Sequence, residues 1–335
     1  MRFPLSLTAS LAWYIARKKL ANGRSRFPLV LMLEPLHACN LTCTGCGRIR
    51  EYQDSIAQSL TVEQCLRAVD ECGAPIVSIC GGEPMIYPPL GELVEKILER
   101  RKHIYLCTNG MFIEKRLGEF RPSSRFFFNV HLDGMEKTHD MCVERQGVFQ
   151  AAVAGVRAAK KAGFLVCTNT TIYRETDIRE IAELFEYLRL LGVDGHMMSP
   201  AYSYQAVSTK EIFLSRQDVH QKFREAEKLL SRFPLNTSPI YLEFLRGQRQ
   251  LTCTAWGNPT YNTQGWKGPC YLITDSHHRT FDEFIAQVPW EKYGYGKDPR
   301  CEDCMVHCGY EPSAALGVNR QLGDSLKMAL WALKG

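Results

Sequence analysis

Two hydrophobic rhythms alternate along residues 28–200. Short apolar runs predict strands at Leu29–Glu34, Ile76–Cys80, Ile104–Thr108, Phe126–Leu132, Leu165–Thr171 and Gly195–Ser199. Between them, apolar residues recur with a period of 3.6. Thr61–Cys72 places Val62, Cys65, Leu66 and Val69 on one face, with Thr61 and Gln64 spaced as a capping box. Val148–Ala162 is alanine-rich and stops at Gly163, and Asp177–Leu191 stops at Gly192. Six strand–helix units in succession predict a parallel sheet with helices outside. Eight units would close a barrel; six predict an open, partial (β/α)6 barrel, with chemistry at the C-terminal strand ends.

The fourth strand has an unusual inner face. Period-two alternation puts Asn129, His131 and Asp133 on one side and Phe128, Val130 and Leu132 on the other. Strand five offers Asn169 and Thr171 in the same manner. Polar groups on a buried strand need partners, which either a bound ligand or an internal hydrogen-bond network supplies.

After residue 200 the alternation breaks. Ser215–Phe233 reads as one charged amphipathic helix, and from Cys253 to Cys308 Gly, Pro, Trp and Cys follow irregularly. That tail looks too poor in periodic structure for an ordinary core, so a metal is expected to staple it. The chain therefore divides into an arm (1–27), a core (28–210) and a Cys-rich extension (211–335). The net charge of +5 is concentrated in the arm, where Arg2, Arg17, Lys18, Lys19, Arg24 and Arg26 face no acid; the rest is close to neutral. The body is thus no basic nucleic-acid binder. No run is long enough to span a membrane, and the arm lacks a signal-peptide layout. Leu5–Leu20 suits either a helix on a membrane surface or one packed on the body. Cytoplasmic placement is expected, with peripheral contact to the inner membrane surface.

Fourteen cysteines without a secretory signal point to metal ligation over disulfides. Cys39, Cys43 and Cys46 form C-x3-C-x2-C directly after the first strand. Three thiolates on one loop suit three irons of a [4Fe–4S] cube and leave the fourth open to a small molecule. A zinc knuckle normally shows paired C-x2-C units with a fourth ligand close by, and none follows before Cys65. Gly81-Gly82-Glu83-Pro84 follows the second strand, where glycines permit close backbone approach and a carboxylate can accept from a cation. Cys107 ends the third strand. It is either a packing residue or, at the active rim, a hydrogen-atom donor to a carbon radical. Cys65, Cys72, Cys80, Cys142 and Cys167 read as packing residues. Cys253, Cys270, Cys301, Cys304 and Cys308 suit an auxiliary iron–sulfur cluster, with zinc as the rival. Tyr105, Met197, Met198, Tyr202 and Tyr204 suit either an apolar pocket or the core.

The cysteine spacing and the GGEP string match the radical S-adenosylmethionine (SAM) superfamily. Over nearly its whole length the chain resembles the adenosylhopene transferases, hopanoid-pathway members of that superfamily. The strings PLVLMLEP, VDECGAPIVSICGGEP, YLCTNG, VHLDG, CTAWGNPTYN, GPCYL and CEDCMVHCGYE carry the resemblance. Cys253-x11-Gly265-x4-Cys270 is similar to the opening of a SPASM or twitch extension. The resemblance implies a [4Fe–4S] cluster on Cys39, Cys43 and Cys46, with SAM held by Gly81, Gly82, Glu83, Asn129, His131, Asp133, Asn169 and Thr171. It implies addition of the 5′-deoxyadenosyl radical to the alkene of a hopene (diploptene), leaving a carbon radical that a hydrogen atom must quench; by its place and its thiol, Cys107 is the expected donor. A triterpene substrate and a reductase such as flavodoxin or ferredoxin are the expected partners. A peptide-modifying enzyme and a non-catalytic electron carrier are the alternatives.

Overall fold

All six expected strands form, each within one residue of its expected limits at either end: β1 (Val30–Leu33), β2 (Ile76–Ile79), β3 (His103–Thr108), β4 (Phe126–His131), β5 (Leu165–Ile172) and β6 (Gly195–Pro200). The computed structural model describes residues 4–21 and 26–333. The strands pair in parallel in chain order, as a partial barrel requires. Helices Val62–Cys72, Leu90–Glu99, Val148–Lys161 and Ile178–Leu190 cover the outside, with a shorter one at Ile113–Arg116. The Thr61/Gln64 capping box is present, and Gly73 ends the helix at φ 65°, where a side chain would be strained.

Strand alternation sorts β4 as expected. Phe126, Phe128, Val130 and Leu132 are fully buried in the main core beneath the helices. Each such burial stabilises by about 1.5–3 kcal/mol. Asn129, His131 and Asp133 face the barrel interior instead, where all three line one cavity.

The extension differs from its expectation. It is not irregular but continues the sheet with β7 (Thr260–Asn262), β8 (Gly265–Pro269) and β9 (Thr274–His278). β7 pairs in parallel with β1, the edge that an open barrel leaves unpaired, and β8 and β9 follow antiparallel. This covers an edge that would otherwise expose unpaired backbone groups. The tail also has an apolar core. Trp266 is fully buried against Tyr261 and Phe281, with its Nε1 donating to Glu71 Oε2 at 3.0 Å.

The arm forms helix Leu5–Leu20, which packs on the body. Tyr14 is buried with Phe27, Leu29 and Leu316, and Lys19 Nζ donates to the Leu316 carbonyl at 2.7 Å. Trp13 and Leu20 remain exposed. Arg2 and Arg24, two of the arm's charges, lie outside the described residues. Among the described residues no helix is long and apolar enough to cross a membrane.

Candidate active site at the strand ends

The chain leaves β1 through Glu34 and turns into the cysteine loop. Cys46 N–H donates to the Cys43 carbonyl at 3.1 Å, and Arg50 clamps the same carbonyl at 3.0 Å. Gly45 and Gly47 admit tyrosines: a Cβ on Gly45 would lie 2.3 Å from Tyr173 Oη, and one on Gly47 2.3 Å from Tyr204 Cγ. Cys39, Cys43 and Cys46 all line one cavity of about 290 Å³ at the C-terminal strand ends. Burial pushes the Cys39 thiol up to about 12, although the Leu41 N–H, 3.4 Å from its sulfur, opposes this. Burial also raises Cys43, with the Cys46 and Cys39 sulfurs adding to it. Such thiols become thiolates when a cationic centre binds them. Among the described residues no three His, Cys, Asp or Glu side chains form a group able to hold a single metal ion. The three thiols of Cys39, Cys43 and Cys46 nevertheless open on one cavity, as ligands of a shared cluster must.

The GGEP segment serves the loop first. A Cβ on Gly82 would lie 1.9 Å from the Ala38 carbonyl oxygen and 2.4 Å from that of His37; on Gly81 it would lie 2.4 Å from that of Leu36. Gly82 N–H donates to Leu36 and Glu83 N–H to Ala38, at 3.1 and 2.9 Å. The glycines thus let the β2 turn pack directly on the cysteine loop. The Glu83 carboxylate lines the same cavity. It already accepts from Met85 N–H, Thr108 Oγ1 and Asn109 N–H, each at 2.8 Å, and so ties the end of β2 to the end of β3. Burial raises its carboxyl to about 7 against those three donors.

The polar faces of β4 and β5 meet across the register, which pairs His131 with Asn169. His131 Nε2 and Asp133 Oδ2 are 2.8 Å apart, and Asp133 Oδ1 accepts from Thr171 N–H at 2.8 Å. Burial lowers the His131 pKa, but the Asp133 carboxylate outweighs it and holds the imidazole above its ordinary value. Asn169 Oδ1 is buried with no protein partner while the residue lines the cavity, an acceptor open to a ligand. Asn129 is instead engaged with sulfur: its Nδ2 lies 3.4 Å from Cys107 Sγ, and its Oδ1 accepts from Cys167 Sγ at 3.5 Å. Cys107 faces the same cavity, with Ser78 Oγ 3.3 Å from its sulfur.

The extension closes the far wall. Cys270, Cys301, Cys304 and Cys308 share one buried cluster with Tyr202 and Leu272. Cys253 lies against Gly309, the residue after Cys308, so near that a Cβ on that glycine would lie 2.5 Å from Cys253 Sγ. Backbone N–H groups of Leu272 and Val306 support the Cys270 and Cys304 sulfurs, as suits thiolate ligands. The five cysteines expected to hold an auxiliary cluster are therefore brought together.

Several lining residues escaped sequence reasoning. Tyr173, Tyr271 and His307 face the cavity, as do Cys80 and Cys142, which had read as packing residues. Tyr202 and Tyr204 line it as a pocket requires. Tyr105, Met197 and Met198 do not; Tyr105 stacks on Phe127 at 4.9 Å and Met198 is buried in the main core. A buried ionic network under the loop was also unforeseen. Arg48 Nε lies 3.0 Å from Glu34 Oε1, and Arg48 and Lys267 both donate to the Tyr271 carbonyl. Burial alone would raise the Glu34 carboxyl, but the Arg48 guanidinium holds it at about 2. Burial, then Arg48, push the Lys267 ammonium down to about 8.

Comparison with known proteins agrees with this geometry. Residues 33–188 match the radical SAM superfamily and residues 196–328 match a domain of unknown function, DUF3463. The chain is 24% identical to the subtilosin biosynthesis protein AlbA of Bacillus subtilis, over 93% of this chain and 73% of AlbA. It is 29% identical to the AdoMet-dependent heme synthase of Methanosarcina barkeri, over 49% of this chain and about half (48%) of that synthase. SuiB of Streptococcus suis shares the fold with a TM-score of 0.65 at 14% identity, covering 91% of this chain and 82% of SuiB. The structure of anSMEcpe with bound AdoMet and a Cp18Cys peptide does so with a TM-score of 0.57 at 16% identity, covering 92% and 100%. The chain thus carries a radical SAM domain at residues 33–188, a domain that uses a [4Fe–4S] cluster and SAM, followed by a DUF3463 domain.

Proposed function

We propose that the enzyme joins the 5′-deoxyadenosyl group of SAM to the alkene of a hopene such as diploptene. The bound [4Fe–4S] cluster supplies the electron that cleaves SAM, and Cys39, Cys43 and Cys46 would hold it. Asn169 Oδ1 and the His131–Asp133 pair suit the polar groups of SAM, and Thr171 borders them. Gly81 and Gly82 keep the loop close, and Glu83 positions the strand ends. The single observation that carries the reading is the Cys107 thiol, placed in the cavity of the three cluster cysteines between Ser78 and Asn129. Addition of a radical to an alkene consumes the radical and leaves a carbon radical that needs a hydrogen atom. A thiol has a weak bond to hydrogen and suits that step. The extension's strings support the hopene as acceptor, and the exposed Trp13 and Leu20 beside Arg17 suit the arm to an anionic membrane surface holding such a lipid.

A second reading, modification of a peptide, draws support from the comparisons, which favour it over the lipid in substrate class. SuiB has been solved bound to its precursor peptide SuiA, anSMEcpe with a peptide, and AlbA serves a bacteriocin. The test is incubation of reconstituted, reduced enzyme with SAM and diploptene, followed by mass spectrometry. Adenosylhopane is the expected product. Its absence, with 5′-deoxyadenosine released only when a candidate peptide is present, supports the second reading.

A further inference from the structure

Cys80 and Cys107 lie side by side at the ends of β2 and β3. The register pairs Ile79 with Leu106, so the next step brings Cys80 beside Cys107. Ser78 touches the Cys107 sulfur, and alternation turns Cys80, two residues on, to the same inner side. Both thiols line the cavity. Neighbouring strands lie about 4.8 Å apart, within the span of about 4.4–6.8 Å between Cα atoms that a disulfide bridges. The other groups bonded to Cys107, the Ser78 hydroxyl and the Asn129 amide, carry no readily oxidised bond. Cys167 is separated from Cys107 by the Asn129 amide.

We propose that Cys80 and Cys107 act as a dithiol pair in which Cys80 captures the sulfur radical left on Cys107. The proposal rests on the reading of Cys107 as the hydrogen donor. In the first step the Cys107 S–H bond breaks and a C–H bond forms on the substrate radical, leaving a thiyl. An S–S bond then forms between Cys107 and Cys80. The Cys80 proton passes to water in the cavity, and one electron passes to an oxidised iron–sulfur centre. The pair thus gives up two electrons, one with the hydrogen atom in the product and one to that acceptor. An external dithiol reduces the disulfide, becomes a disulfide itself and restores both thiols. Without Cys80, the thiyl has no such partner, and the enzyme stalls after one product.

The test is peptide mapping. Cluster-loaded protein, turned over with SAM and diploptene without added thiol and then alkylated, is expected to yield a Cys80–Cys107-linked peptide in proportion to product. Diamide treatment of the same protein without substrate is expected to give the same link. Cys80→Ala and Cys80→Ser, assayed with a dithiol present, should retain the first turnover and lose about tenfold in products per chain. Absence of the link under both conditions overturns the proposal, as does an unchanged product number in both Cys80 variants. Failure of the underlying reading looks different: Cys107→Ala would then still form saturated adduct at the parent rate.

Discussion

Arg48 and Glu34 form an ion pair that is almost wholly sealed from water, Nε to Oε1 at 3.0 Å, with side-chain exposures of 3% and 0%. Glu34 directly follows the first strand, and Arg48 stands two residues after the last loop cysteine. Through Arg48 and Lys267 the pair reaches the Tyr271 carbonyl, next to Cys270. One buried network thus fixes the cysteine loop to the wall that carries the second cysteine set. Removing one partner strands a buried charge, so Arg48→Met should cost about 3–5 kcal/mol. The double variant with Glu34→Gln should recover part of that. Urea unfolding of the metal-free proteins measures both; a single variant as stable as the parent contradicts the account.

The same pair predicts an acid limb in stability. The Glu34 carboxyl falls from an unfolded value near 4.5 to about 2 in the fold. A depressed carboxyl binds fewer protons folded than unfolded, so its contribution is full above the unfolded value and lost as pH falls toward 2. Glu34→Gln should flatten this limb between about pH 5 and 2. Melting temperature against pH for parent and variant is the measurement, and parallel curves argue against the pair.

Gly82→Ala should damage the loop without touching a cysteine. Its Cβ would lie 1.9 Å from a backbone carbonyl oxygen of the loop, so one of the two segments must move. SAM cleavage should fall by at least about tenfold, since small displacements at a reacting centre are costly. Measuring 5′-deoxyadenosine release tests this; an unchanged rate contradicts the close-packing role.

Replacing Cys39, Cys43 and Cys46 together by Ala should abolish SAM cleavage and leave the iron held by the extension. Iron and zinc quantification on that variant separates the two sites. Stoichiometric zinc with iron near zero would assign the extension to zinc.

The strands and the β4 polar face were legible because period-two and period-3.6 patterns persist over many residues there. Cysteine spacing is local in sequence, so the loop was legible too. The strands β7 to β9 were not, because each has only three to five residues and polar ones among them; Trp266 of β8 is a lone large apolar residue, and a single one shows no period. Glu34, Arg48 and Lys267 are single charges far apart in sequence, and only the fold shows that they meet. That Glu83 also ties two strand ends together shows only when Thr108 and Asn109 are placed beside it. The arm's apolar stripe fitted two surfaces equally, and Tyr14 shows that the body takes part of it.

The most direct test of the proposed chemistry is a turnover in D2O. Reduced, reconstituted enzyme equilibrated in D2O is given SAM and diploptene, and the product is analysed by mass spectrometry. A thiol exchanges its hydrogen with solvent, so quenching by Cys107 predicts adenosylhopane carrying a single deuterium on the former alkene carbon. An adduct without deuterium, or no adduct at all, would contradict the account.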